Sequence, residues 1–438
     1  MNNGIEIRNG QALIGNVSVS ELARRCHTPL YIYDQTALED RMKEFIDNFQ
    51  SEKFNTSVLY ASKAFSCIAM YKLCAHYGLG LDVVSGGELY TAYKAGFDLS
   101  KVYFHGNNKS VWELEMALKL GVGTIVVDNL MEAELLASLK QKPEYEHWRI
   151  KTVLRINPGI EAHTHKYIQT AYIDSKFGIS ILKMDEIAQV VSVLQAAPGI
   201  SFDGFHAHIG SQIFEKGAFM AEITKVCQFA RDFEDAFGLV TRTLDFGGGF
   251  GVWYTDADQP VSIAEICQDI VHQSELEKER LNLSLETICI EPGRSIVAEA
   301  GYQLYEIGFL KETQNRKYIF IDGGMTDNIR PALYQADYSF DVATNMDSEK
   351  TETVTIAGKC CESGDLLGEN ILLQPCKSGD LLLVHSTGAY GYSMASNYNK
   401  LPFAGVVFVK DGQIFWAIKP QSFDELIERE TVVLEEVQ

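Results

Sequence analysis

Basic residues are scarce in this chain. Lys and Arg together number 38 against 59 Asp and Glu, a formal net charge of −21. That imbalance argues against nucleic acid or an anionic membrane surface as a partner. No apolar run approaches the length of a membrane span. The opening stretch, MNNGIEIRNGQALIG, lacks a basic segment followed by an apolar one, so no secretory signal is read there. Nine cysteines are scattered without CxxC spacing, which speaks against structural zinc or a disulfide framework and for a reduced, cytoplasmic setting. The chain has no GxGxxG fingerprint, no GKS or GKT of a P-loop, no internal repeats and no low-complexity linker. With 46% apolar and 22% charged residues, what remains is a globular composition.

At 438 residues the chain exceeds one ordinary domain, and its rhythm changes twice. Residues 1–30 hold short extended pieces and a predicted helix over 19–26. They are too few to fold alone and are expected to complete a sheet of the C-terminal half. Over 31–297, apolar strand-like runs alternate with helical patterns such as 87–95, 111–120 and 131–139. The runs are SVLYASKA, GLGLDVVS, KVYFHG, GTIVVDN, KTVLRINP, GFHAHIG, RTLDFGGG and TICIEPGR. Eight such alternations predict a parallel (β/α)8 TIM-type barrel. Each run ends in residues suited to a site: Lys63, Asp82 and Ser85, His105, Asp128, Arg155 and Asn157, His208, the glycines 247–249, and Glu291 to Arg294. Barrel geometry gathers such ends on one face. Residues 298–438 read instead as strands and turns, with a hairpin signal in the Asp-Gly of KDGQ, and are expected to form a β-domain with residues 1–30. The acidic end, 423–438, reads as a solvated and partly helical stretch.

Five motifs carry chemistry. In SVLYASKA, a lysine closing a buried strand is partly desolvated, which lowers an amine's pKa and suits it to a Schiff base. The alternative is a surface lysine beyond a strand. DFGGGFG, residues 245–251, lets backbone approach an anion, or is simply a tight turn. EPGR, residues 291–294, adds a guanidinium fork for phosphate or carboxylate, and Glu291 could face a heterocyclic nitrogen. A lysine, anion donors and a ring-nitrogen carboxylate are what pyridoxal phosphate needs from a protein. HAHIGSQ puts two histidines two apart; neither this pair nor His163 and His165 has an obvious third ligand, so no metal is expected. His208 better suits packing on a cofactor ring. In KCCESGD, Cys360 reads as an ordinary buried thiol and Cys361, beside Glu362, as an exposed one able to move a proton.

YASKA, GLDVVSGGEL, HGNNKS, HAHIGSQ, LDFGGGFG, EPGRS, DGGMTDNIRPALY, CESGD and GAYGYSMASNYN occur in this order. From about residue 27 to 425 the chain thereby resembles the diaminopimelate decarboxylases, of the alanine-racemase-like, fold type III pyridoxal-phosphate enzymes. The resemblance implies a pyridoxal-phosphate barrel with a C-terminal β-domain, a homodimer with shared active sites, and conversion of meso-2,6-diaminopimelate to L-lysine and CO2. It assigns Lys63 to the Schiff base, Glu291 to the pyridine nitrogen and His208 to the ring face. Asp82 joins the cofactor set, and Ser211, Gly248, Gly249 and Gly293 fall in phosphate-binding motifs. Arg294, Arg330 and Tyr334 match substrate contacts. Glu362 would read the far amino group, Tyr390 would touch cofactor and substrate, and Cys361 would be the proton donor from the other subunit. KLPFAG at 400–405, Ala207 and Ala171 depart from the family pattern, away from the assigned chemistry. The rivals are a decarboxylase of ornithine, arginine or carboxynorspermidine, a racemase of the same barrel class, and a regulatory homologue without cofactor. Two substrate arginines, RPALY, CESGD and the intact Lys63 argue against them.

Overall fold

A computed structural model describes residues 5–160 and 175–432; His163, His165 and Ala171 lie outside them. The chain divides into two compact units, one of residues 39–252 and 259–296, the other of residues 1–38, 253–258 and 297–438.

The first unit is a closed parallel barrel. Its strands are β1 (Asn55–Ala61), β2 (Gly80–Val83), β3 (Val102–Phe104), β4 (Thr124–Val127), β5 (Ile150–Asn157), β6 (Ile200–His206), β7 (Thr243–Asp245) and β8 (Thr287–Ile290). Each pairs in parallel with the next, and β8 pairs back to β1. Strands covered on both faces read as unbroken apolar runs, and β2 and β4 are buried at every residue. Helices follow the strands, among them Gly86–Ala95, Val111–Leu120 and Leu130–Lys140. Their starts are set by caps: Ser85 and Asn129 accept the backbone N–H three residues on, and Ser110 forms a capping box with Glu113. Ser85, a strand-end candidate, is thus a helix cap.

The second unit is built on a long mixed sheet. Residues 31–34, which the sequence rhythm places at the start of the barrel, belong to a strand of this sheet, Leu30–Asp34. It lies between Gly301–Glu312, antiparallel, and Gly405–Lys410, parallel. Its alternate residues Leu30 and Ile32 pack with Ile14, Val19, Leu22, Leu304 and Val407 in the core of this unit. The Asp-Gly hairpin joins Gly405–Lys410 to Gln413–Ile418, with Asp411 and Gly412 both at positive φ, as a tight two-residue hairpin requires. Among the described residues no helix is long and apolar enough to cross a membrane.

Candidate active site

The C-terminal strand ends of the barrel open on a cavity of about 530 Å³, lined by Lys63, Asp82, His105, Arg155, Asn157, His206, His208 and Glu291 among others. That volume lies within the roughly 300–1,000 Å³ of small-molecule sites.

β1 ends at Ala61, and Lys63 sits in a following 3-10 turn, Ser62–Ala64. The lysine is exposed rather than held within the strand. Desolvation by strand burial, the sequence argument for its chemistry, therefore does not apply, whereas its place on the cavity wall does. His208 likewise lies just past the end of β6, in a loop, while His206 is the last residue of the strand. Both still line the cavity.

The cavity floor is a buried cluster around Glu291. His206 Nε2 stands 3.1 Å from Glu291 Oε2 in a hydrogen bond. His105 Nε2 is 2.7 Å from Glu291 Oε1 and 3.7 Å from Asp82 Oδ1. The first of these approaches is close but not aligned as a hydrogen bond, so among the described residues Glu291 Oε1, His105 Nε2 and Asp82 Oδ1 are buried with no such partner. Burial alone would raise the Glu291 carboxyl, but the two imidazoles outweigh it and hold it well below the usual range. Burial pushes His206 down, and a neutral imidazole can still donate through Nε2–H. Burial raises Asp82 to about 6 against the pull of His105, and burial with the Glu291 charge pushes Asp245 well above its ordinary value. The Glu291 carboxylate is thus kept ionised, while Asp245 beside it is pushed toward its protonated form. One donor atom each from His105, His206, Asp245 and Glu291 lies within 4.8 Å of the others. Four such atoms could surround a small cation, yet Lys63 and Arg155 already bring positive charge to the same cavity.

The glycine motifs are packed against backbone. A Cβ on Gly248 would lie 2.1 Å from Glu291 O, and one on Gly293 would lie 2.8 Å from Ala61 Cβ. Gly247 and Gly249 have φ of 63° and 106°. The tight-turn reading of DFGGGFG accounts for these glycines by itself. Arg294 Nη2 donates to Ser211 Oγ at 3.0 Å, which joins EPGR to HAHIGSQ.

In the second unit Arg330 is buried, 8% exposed. Its Nη1 donates to Tyr254 Oη at 3.1 Å and Tyr338 Oη at 3.0 Å. Its guanidinium lies over the rings of Tyr254, Tyr338 and Tyr390, 5.5, 5.9 and 5.6 Å from their centroids. No carboxylate among the described residues pairs with it. Tyr334, at the end of the short helix Arg330–Tyr334, is exposed. Cys360 is half-buried rather than buried, and Cys361 and Glu362 are exposed. Cys361 N donates to Asn399 Oδ1 at 2.7 Å. Tyr254 and Tyr338 carried no sequence signal; they are ordinary aromatics until the fold brings them to Arg330. His105 and Arg155 were legible as strand ends, and Asp128 was not a member of the cavity: it accepts Gly178 N–H at 2.9 Å.

The family model for the pyridoxal binding domain of pyridoxal-dependent decarboxylases matches residues 35–298. Fold and cavity thus define a pyridoxal-phosphate-dependent decarboxylase barrel. The diaminopimelate decarboxylase of Bacillus subtilis (strain 168) is 45% identical over 96% of this chain and 95% of its own. That of Halalkalibacterium halodurans is 43% identical over 98% and 97%. The crystal structure of diaminopimelate decarboxylase from M. jannaschii in co-complex with L-lysine matches with a TM-score of 0.91 and 30% identity, over 99% of this chain and 98% of that one. The chain belongs to the diaminopimelate decarboxylase family.

The residues present fit pyridoxal phosphate. Glu291 Oε1 and Asp82 Oδ1 are buried acceptors with no hydrogen-bond donor among the described residues, as a ring N–H would require, Lys63 lines the same cavity, and Ser211 and Arg294 offer donors to a phosphate.

Proposed function

We propose that this chain removes one carboxylate from meso-2,6-diaminopimelate to give L-lysine and CO2. The observation that carries the substrate is Arg330: a buried guanidinium held by tyrosines, with no carboxylate partner among the described residues, is built to receive an anion. Lys63 would bind the cofactor covalently through Nζ. Glu291, ionised between His105 and His206, would keep the ring nitrogen protonated, and His208 would pack on the ring. Asp82 would share the nitrogen side, and Ser211, Gly248, Gly249, Gly293 and Arg294 would hold the phosphate. Bound there, pyridoxal phosphate takes up the electron pair released when the carbon–carboxylate bond breaks. Cys361 Sγ–H would return a proton to the α-carbon.

Selection falls to the far end of the substrate. Arg330, Arg294, Tyr334 and Tyr390 would hold the carboxylate that stays, and Glu362 the distal ammonium. Ornithine, or lysine offered as substrate, lacks the distal carboxylate and leaves the buried Arg330 charge unmatched, which penalises it. Cys361 and Glu362 are exposed on their own unit, which supports a homodimer in which they complete the partner's site. All nine cysteines are free thiols, in keeping with a cytoplasmic enzyme.

Release of CO2 over a panel of amino acids tests the reading. meso-Diaminopimelate should be turned over with equimolar L-lysine, and lysine, ornithine and arginine only far more slowly. Preferred turnover of ornithine or arginine would overturn it.

A further inference from the structure

Beyond the residues that would touch substrate, two loops of the second unit are bonded to one side chain. Asp365 is 2% exposed. Its Oδ1 accepts Met325 N–H at 2.6 Å and its Oδ2 accepts Cys360 N–H at 2.8 Å. Its backbone closes the same turn: Asp365 N donates to Glu362 O at 3.1 Å, and Gly358 N to Asp365 O at 2.9 Å. A further bond, Lys359 N to Gly323 O at 3.1 Å, ties the two loops directly. No cation among the described residues pairs with this carboxylate, so backbone N–H groups are what it serves.

Space around it is kept by two glycines. A Cβ on Gly324 would lie 2.4 Å from Asp365 Oδ1, and one on Gly358 would lie 2.2 Å from Asp365 Oδ2. Gly324 also has φ +152°, where a side chain is strained. One loop leads from Met325 to Arg330; the other carries Cys361 and Glu362 directly after Cys360.

We infer that Asp365 is a positioning residue: its carboxylate fixes the spacing between the loop that leads to Arg330 and the loop that carries Cys361 and Glu362. The inference rests on the site reading above. A carboxylate accepts two N–H groups at once, one on each oxygen, and charge-assisted bonds of this kind are short and strong. An asparagine in its place has the same shape but one acceptor. Its NH2 would face one of the two backbone N–H groups, donor against donor, and that loop would shift.

The test is D365N in the cofactor-loaded enzyme, with G358A as a second variant that presses on the carboxylate without removing it. We expect both to keep the cofactor absorbance and its covalent attachment. We expect kcat/KM for meso-diaminopimelate to fall at least about tenfold, the size of one lost charge-assisted hydrogen bond. The preference for meso-diaminopimelate over L-lysine as substrate, and the affinity for L-lysine by calorimetry, should fall with it. A purely structural role would lower the folded or cofactor-loaded fraction and leave that preference intact; this result, in whichever variant folds, overturns the inference. C361A and E362A run in parallel separate the two levels. If they impair turnover, and R330K lowers the preference, while D365N does neither, the positioning role alone is wrong. If they too are without effect, the site reading falls and takes the inference with it.

Discussion

Replacing Arg330 with lysine keeps a positive charge and most of the volume, so it isolates the guanidinium geometry. The two N–H groups on Nη1 are engaged by Tyr254 Oη and Tyr338 Oη. Nε–H and the N–H groups of Nη2 are then left as a parallel fork for a carboxylate. An ammonium has three donors on one atom and cannot satisfy two tyrosines and a bidentate carboxylate together. At least one charge-assisted bond is lost, worth roughly 1.5–3 kcal/mol. At about 1.4 kcal/mol per decade this is a fall of about 10- to 150-fold in kcat/KM for meso-diaminopimelate. Binding of L-lysine, which retains the distal carboxylate, should weaken by a similar factor in calorimetry. The cofactor spectrum should not move. L-Lysine offered as a substrate is the control, because its only carboxylate is the one that would leave. Its slow turnover should change little in R330K. A kcat/KM for meso-diaminopimelate within about twofold of wild type, or an equal loss on lysine, would refute the assignment of Arg330 to the distal carboxylate.

Lys63→Ala should remove the covalently held cofactor and nearly all turnover; an absorbance spectrum unchanged in K63A and still sensitive to borohydride would point to another lysine. Co-expressed K63A and C361A chains should rescue each other: about half the dimers are mixed, each with one intact site, giving about a quarter of wild-type sites by two-fold symmetry. Confirmed mixed dimers with no more activity than either parent would place each site within one chain. Asp341 offers a pH test of stability. Burial would raise its carboxyl, but His385 Nε2 at 2.8 Å, with Lys350 and Gln374, holds it down to about 2 from 3.8. A depressed carboxyl stabilises the fold above its unfolded pKa and loses that contribution as pH falls towards 2. The shift corresponds to about 2.5 kcal/mol. The urea-unfolding gap between wild type and D341N should therefore narrow below about pH 4, and a gap constant from pH 7 to 3 would contradict this.

The barrel was legible because its strands are covered on both faces. A run such as GTIVVDN or TICIEP is apolar throughout, and the first polar residues beyond it mark the strand's end and so the site. His105, Arg155 and Glu291 follow from that rule alone. Leu30–Asp34 shows its limit. LYIYD reads equally well as a buried strand of either sheet, and its partners, Gly301–Glu312 and Gly405–Lys410, lie hundreds of residues away. Nothing in a local pattern selects between them. Lys63 fails for a smaller reason: strand propensity runs through SVLYASKA, but the hydrogen-bonded ladder stops at Ala61 and a 3-10 turn takes over. The tyrosines around Arg330 and the carboxylate of Asp365 were invisible because their partners are set by tertiary packing, not by spacing.

The glycine motifs owe their form to packing as much as to any ligand. DFGGGFG and EPGR invite a reading in which glycine exists to admit a ligand. The strands that carry them, β7 and β8, are neighbours, and β8 in turn pairs with β1. Glu291 N donates to Gly247 O at 2.6 Å, and Gly248 has no room for a Cβ because Glu291 O is there. Ala61 N donates to Pro292 O at 3.1 Å, and Gly293 has no room because Ala61 is there. The glycines are thus what lets three strand ends close on one another. Glu291 is held from one side and the turn bearing Lys63 from the other. An anion that binds the same loops meets a backbone already fixed by this contact, so the loops need little reordering on binding. The motif is a single device: the same interlocked backbone positions Glu291 and the turn bearing Lys63, the two residues proposed for the ring nitrogen and the aldehyde carbon.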